Sequence, residues 1–73
     1  MRWDEIKTII ATSYEVLVEQ YPTRRKYFLL RDNVDYVITA KQFKRIQQTD
    51  TLQSIYTTRS INGITEYRYY SKR

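Results

Sequence analysis

The spacing of apolar residues predicts an amphipathic helix at the start of the chain. From Trp3 to Glu19 or Gln20, apolar side chains recur every three or four positions, which gathers them on one side of a helix turning by about 100° per residue. The stripe contains Trp3, Ile6, Ile10, Tyr14, Leu17 and Tyr21, with Ile9 and Val16 at its border. The opposite side is polar and acidic, and Pro22 ends the helix because a residue before proline disfavours helical dihedral angles. We expect this stripe to pack into the core.

Two strands joined by a tight turn are predicted next. Residues Arg24 to Arg31 include the run Tyr27-Phe28-Leu29-Leu30, and residues Val34 to Ile38 are mostly β-branched or aromatic. Asp32 and Asn33 lie between them, and both residue types favour turns. We expect the two strands to pair.

A second helix is predicted over Ala40 to Gln48. Thr39 is a favourable N-cap, and Gln42 three residues later completes a capping box. Ile38 before the cap and Phe43 within the helix fit a hydrophobic staple. The residues expected to face inward are Ala40, Phe43, Ile46 and Gln47, and those expected to face outward are Lys41, Lys44, Arg45 and Gln48.

The last third of the chain predicts a β-hairpin. Residues Asp50 to Gln53 fit either a further helical turn or the start of a strand, and from Ser54 the composition favours a strand. Asn62-Gly63 favours a two-residue type I′ turn, because both residues tolerate positive φ. The register implied by that turn places Ile61 opposite Ile64, Arg59 opposite Glu66 and Tyr56 opposite Tyr69.

This register sorts the hairpin into two faces. One face carries Tyr56, Tyr67 and Tyr69 among hydroxyl side chains, and the other carries Arg59, Glu66, Arg68 and Tyr70 with isoleucines. The tyrosine face either packs on the first helix, with each hydroxyl reaching a partner at the edge of the core, or stays open as a stacking platform for bases.

Together these elements predict one α+β domain spanning residues 1–73. An N-terminal amphipathic helix packs on a small antiparallel sheet, with a second short helix inserted and a C-terminal Asn-Gly hairpin. The order of elements resembles a winged-helix layout, in which helices read a groove and a hairpin lies along the DNA backbone. That layout requires a recognition helix between Asp50 and about Thr57.

Composition excludes several classes of chemistry. The chain has no cysteine and no histidine, so thiolate zinc sites, disulfides and the usual general base are absent. We therefore expect no metal, no cofactor and no enzymatic activity. No apolar run approaches the roughly 18 residues of a membrane span, and the N-terminus lacks a secretory pattern, so we expect a cytoplasmic protein that does not enter membranes.

Positive charge is concentrated after Pro22. The net charge is +5, with 13 basic and 8 acidic side chains, and the acidic excess lies in the first helix. Such a distribution suggests a polyanion or an acidic protein surface as partner, with a lysine- and arginine-rich solvated surface as the plain alternative. The candidate nucleic-acid-binding residues are Arg24, Arg25, Lys26, Lys41, Lys44, Arg45, Arg59, Tyr67, Arg68, Tyr69, Lys72 and Arg73.

Each basic group has two interpretations. The run from Arg24 to Lys26 either clamps phosphates or protects a strand edge from aggregation. The outward face of the second helix either enters a DNA groove or is simply solvated.

The function predicted from the sequence is non-enzymatic, regulatory nucleic-acid binding, with DNA favoured over RNA. The alternative is a small interaction module that modulates a larger protein. A small ribonuclease is the least supported class. Its acid–base group would be Glu66, Asp35, a tyrosine or a group whose pKa an arginine lowers, and the first place to look is Glu66 with Arg59, Arg68 and Tyr70. A homodimer is also compatible with so short a chain, because a partner buries additional surface.

Overall fold

A computed structural model of the chain describes residues 1–50 and 52–71, with the backbone alone over residues 53–61. The elements are α1 (Trp3–Ile10), β1 (Glu15–Gln20), β2 (Arg25–Arg31), β3 (Val34–Ile38), α2 (Ala40–Thr49), β4 (Leu52–Ile61) and β5 (Ile64–Ser71). The five strands form one antiparallel sheet in the order β3-β2-β1-β5-β4. The α+β class predicted from the sequence is confirmed.

The first helix is shorter than predicted, and this is the main correction to the sequence analysis. The helix ends at Ile10, and residues Glu15–Gln20 form β1 instead of two further turns. A continued helix would have turned Leu17 inward, whereas the strand buries Val16 and Val18 and leaves Leu17 half-buried on the other face. The strand prevails because it hydrogen-bonds to neighbours on both sides, β2 and β5, a gain that local helical spacing does not reveal.

The two predicted strands after Pro22 are confirmed as β2 and β3. Asp32 and Asn33 form the turn between them with φ of 51° and 64°. Both residue types tolerate this left-handed region, and a turn with two positive φ angles matches the twist of a hairpin.

The second helix is also confirmed, with its capping box intact. Phe43 and Ile46 are buried as predicted, but Ala40 and Gln47, which we expected to face inward, are exposed. On the helical wheel Ala40 and Gln47 lie on the side of Phe43 that is remote from Ile46. The side of α2 that packs against the sheet is therefore narrower than the sequence analysis predicted.

The C-terminal hairpin turns at Asn62 and Gly63, whose φ angles are 52° and 78°. Ile61 lies opposite Ile64 and Arg59 opposite Glu66, as predicted. The predicted pairing of Tyr56 with Tyr69 is wrong, since Tyr56 lies opposite Arg68. The register irregularity between Thr57 and Arg59 causes this change, because a bulge inserts an extra residue into one strand, and a second irregularity follows between Ser54 and Tyr56.

The strand β4 begins at Leu52, which decides the ambiguity over residues 50–53 in favour of a strand. The position that a winged-helix layout would give to its recognition helix is therefore occupied by an extended strand.

Both described helices pack on the same face of the sheet. The buried core consists of Ile6, Ile9, Ile10, Tyr14, Val16, Val18, Leu29, Ile38, Phe43 and Ile46. The Phe43 ring lies 5.3 Å from the Tyr27 ring and 5.5 Å from the Tyr69 ring, so α2 is fixed against β2 and β5. No described helix is long and apolar enough to cross a membrane.

The opposite face of the sheet, here called the open face, is more accessible. Leu17, Phe28 and Leu30 on this face are only half-buried, and Val37 and Tyr70 are 69% and 36% exposed. The sheet thus has one covered side and one side that still presents apolar groups to solvent.

Candidate nucleic-acid interface

One end of the sheet collects the turns that follow β1 and β4. A Cβ atom placed on Gly63 would lie 3.7 Å from Pro22 Cγ, so the β1–β2 connection and the Asn62-Gly63 turn are neighbours. Arg24, Arg25 and Lys26 are all exposed at this end, which we call the basic end.

Tyr21 supports two of these cations. The Arg24 guanidinium lies 5.0 Å and the Lys26 ammonium 5.3 Å from the centre of the Tyr21 ring, within the range of cation–π attraction. The Tyr21 hydroxyl donates a hydrogen bond of 3.0 Å to Glu19, and this bond raises the pKa of the phenol above its usual value. Arg25 is held separately, since its Nε donates to Gln20 Oε1. The ring therefore stays neutral and orients the cations without neutralising them.

The outward face of α2 supplies a second group of cations. Lys41, Lys44 and Arg45 are exposed, and the Arg45 guanidinium lies 4.2 Å from the centre of the Trp3 ring. Residues 36–49 contain no aspartate or glutamate, so no acidic group within this segment offsets the charge.

The fold brings these two groups together. Ile38, the last residue of β3, pairs with Tyr27 near the start of β2, and α2 begins two residues after Ile38. The start of α2 is therefore close to the start of β2, although the Lys26 side chain lies on the open face of the sheet and α2 lies on the covered face. We call the combined set of Arg24, Arg25, Lys26, Lys41, Lys44 and Arg45 the basic surface.

The remaining predicted binding residues lie elsewhere. Tyr67 and Tyr69 are half-buried and pack against the core, so the hairpin's tyrosine pair faces the helices, the first of the two arrangements considered from the sequence. Arg68 lies on the open face and forms an ion pair of 3.3 Å with Glu15. For Arg59 only the backbone position opposite Glu66 is described, and Lys72 and Arg73 lie outside the described residues.

A groove of about 1000 Å³ occupies the end of the sheet opposite the basic end. It is lined by carboxylates of Glu15 and Asp35, by Arg31 and Arg68, and by Tyr70. Of the residues considered for a ribonuclease, Arg68 pairs with Glu15, and Glu66 is not among the residues that line the groove. Among the described residues no group of three or more potential metal ligands occurs.

The sequence analysis missed the aromatic supports and the open face. It assigned Tyr21 to the buried stripe of a long helix, whereas its ring lies beneath exposed cations. Trp3 packs against the core from α1 as predicted, and its ring also contacts the Arg45 guanidinium. The signal that identifies β1 is the alternation of Val16 and Val18 with Leu17, which fits a strand as well as the helical spacing does.

Similarity to other proteins gives no further guide to the function. The binding partner must therefore be inferred from the surface itself. Comparisons of the chain with protein-family models, with characterised proteins and with solved structures each found no match.

Proposed function

We propose that this protein binds nucleic acid, duplex DNA in the first place, through the basic surface and without catalysis. The observation that supports this function is the meeting of two acid-free basic segments at one end of the fold. Residues 22–31 contain no acidic side chain, nor do residues 36–49, and the six cations of the basic surface are all exposed.

Exposed cations suit phosphate binding because they need little further desolvation and displace condensed counterions from DNA. The α2 cations lie between Lys41 and Arg45, which is about 6 Å of helix at about 1.5 Å per residue, so they extend along a length of duplex that carries about three phosphates. The rings of Tyr21 and Trp3 restrict the positions of Arg24 and Arg45 before binding, which reduces the entropy lost in the complex. A domain that binds in this way acts by occupying its site, which is consistent with a regulatory role.

The test is fluorescence anisotropy with a labelled duplex over a range of salt concentrations. Six phosphate contacts give a slope of log affinity against log salt of about −5, so binding should weaken about a thousandfold between 50 and 200 mM salt. The substitution Arg24→Gln should weaken binding and reduce the magnitude of the slope by about one.

Arg31→Gln is the matched control, because Arg31 lies at the other end of β2 and pairs with Asp32. It should leave both affinity and slope nearly unchanged. The proposal is wrong if the protein fails to bind duplex DNA at low salt. It is also wrong if Arg31→Gln weakens binding as much as Arg24→Gln.

An interaction module remains a second candidate, favoured by one observation. The open face presents Val37 and Tyr70 to solvent and half-buried leucines beside them, which is typical of surfaces that contact proteins. Under this alternative the single-site variant at Arg24 has no effect on partner binding, whereas changes on the open face abolish it.

A further inference from the structure

The open face consists of three rows of side chains that cross the sheet. Residues paired across antiparallel strands point to the same side, so the pairings of β1 with β2 and β5 define each row. The rows, each written from β2 through β1 to β5, are Leu30–Glu15–Tyr70, Phe28–Leu17–Arg68 and Lys26–Glu19–Glu66.

We propose that the open face binds a second copy of this chain, giving a two-fold symmetric sandwich with the helices outside. In a symmetric dimer the same surface must be complementary to itself. The strand β1 is the centre of the five-stranded sheet, so a two-fold axis along β1 superimposes β2 of one copy on β5 of the other. Each row of one copy then faces the same row of the other copy, read in the opposite direction, from β5 through β1 to β2.

The outer positions of all three rows, on β2 and β5, are complementary to their reverse. Leu30 meets the partner's Tyr70, an apolar contact between two side chains that are not buried in the single chain. Phe28 meets the partner's Arg68, which is a cation–π pair. Lys26 meets the partner's Glu66, which is an ion pair. Because the axis is two-fold, each contact forms twice.

The central strand meets itself along the axis. Leu17 packs against the partner's Leu17 in the middle of the interface. Glu15 and Glu19 also meet their own copies, but each already has a partner within its chain. Glu15 accepts a hydrogen bond of 3.3 Å from Arg68, and Glu19 accepts one of 3.0 Å from Tyr21.

The alternative axis, across the strands, fits less well. It reverses the strand direction, so that Leu30 would meet the partner's Lys26 and Tyr70 would meet the partner's Glu66. Glu15 would meet Glu19, so like charges still face each other while the ion pair and the cation–π pair are lost. The arrangement of charge therefore selects the axis along β1.

Lys26 belongs both to the basic surface and to this interface, so the inference is tested without DNA, by sedimentation equilibrium of the protein alone. The wild-type chain should sediment at twice its mass of 9.0 kDa. Leu17→Glu adds two carboxylates at the axis between Glu15 and Glu19, and it should raise the dissociation constant of the dimer at least about tenfold. Leu17→Lys instead places an ammonium group among these carboxylates and is the charge-reversed counterpart of Leu17→Glu. An equimolar mixture of the two variants should form dimers again, because opposite charges then meet at the axis.

Val34→Lys is the matched control, since Val34 is exposed on the sheet but belongs to the opposite face, and it should remain dimeric. Circular dichroism reports whether each variant folds. If Leu17→Glu does not fold, Val37→Lys replaces it, because a side chain that is 69% exposed tolerates the change, and it should also weaken the dimer.

Three results would overturn the proposal. They are a wild-type monomer at concentrations up to about 1 mM, a folded Leu17→Glu variant that still dimerises, and a mixture of the two Leu17 variants that stays monomeric. A persistent monomer would leave the open face for a different protein.

Discussion

The capping box of α2 gives a quantitative test of how this fold holds its basic helix. Thr39 Oγ1 accepts a hydrogen bond of 3.1 Å from the Gln42 backbone N–H, and Gln42 Oε1 accepts one of 3.0 Å from the Thr39 N–H. Gln42 Nε2 also donates to the Met1 carbonyl, which ties the N-terminus to the start of α2. The first turn of α2 contains no acidic residue, so nothing else there compensates its positive dipole end.

Thr39→Ala should therefore lower the free energy of unfolding by about 1 kcal/mol, the usual cost of losing such a cap. Unfolding entropy of about 2.1 cal/mol/K per residue amounts to about 150 cal/mol/K for this chain of 73 residues. A loss of that size corresponds to a fall in Tm of about 7 °C.

Thermal unfolding followed by circular dichroism measures the change. Thr39→Ser keeps the hydroxyl and is the control, so it should stay close to the wild-type Tm. The double variant with Gln42→Ala should lose less than the sum of the single losses, because the two bonds belong to one motif. Equal Tm values for Thr39→Ala and Thr39→Ser would refute the reasoning.

Three further substitutions test the core, the hairpin and the Tyr21 support. Ile46→Ala leaves a cavity at a fully buried position and should lower the free energy of unfolding, measured by chemical denaturation, by about 2–5 kcal/mol. A loss of that size unfolds a small domain if its total stability is no larger. Gly63→Ala should lower the free energy of unfolding by about 1–2 kcal/mol through backbone strain alone, because a φ of 78° disfavours a Cβ atom while the space beside Pro22 is sufficient. An unchanged midpoint of denaturant unfolding would contradict this. The raised pKa of Tyr21 means that its stabilising bond to Glu19 is present below about pH 10 and is lost as the pH rises through the shifted pKa. Tyr21→Phe should therefore lose less stability than the wild type at alkaline pH. A pH profile of stability identical to that of the wild type would argue against this.

The sequence was sufficient to predict the elements that are stabilised by contacts between residues close together in the chain. Thr39 with Gln42 predicted the start of α2, and Asn62 with Gly63 predicted the hairpin turn, because each signal depends on groups within a few residues. The exposed positions of Lys41, Lys44 and Arg45 followed from the same helical pattern.

The segment Glu15–Gln20 shows where local reasoning is insufficient. Its apolar spacing fits a helix and its β-branched valines fit a strand, and the choice depends on whether partners are present. β1 pairs on one side with β2 and on the other with β5, whose residues lie about 50 positions later in the chain. The spacing of apolar residues within a segment does not indicate whether such distant hydrogen-bond partners are present.

The candidate site divides in the same way. The sequence alone determined that the protein is basic after Pro22, lacks cysteine and histidine, and turns at Asn62-Gly63. Only the tertiary structure decided that the two basic segments meet, that Tyr67 and Tyr69 face the helices, and that the sheet keeps an open face. The reason is that the composition of a segment is a local property, whereas its neighbours in space are selected by strand order, and here that order places a strand from the first third of the chain at the centre of the sheet.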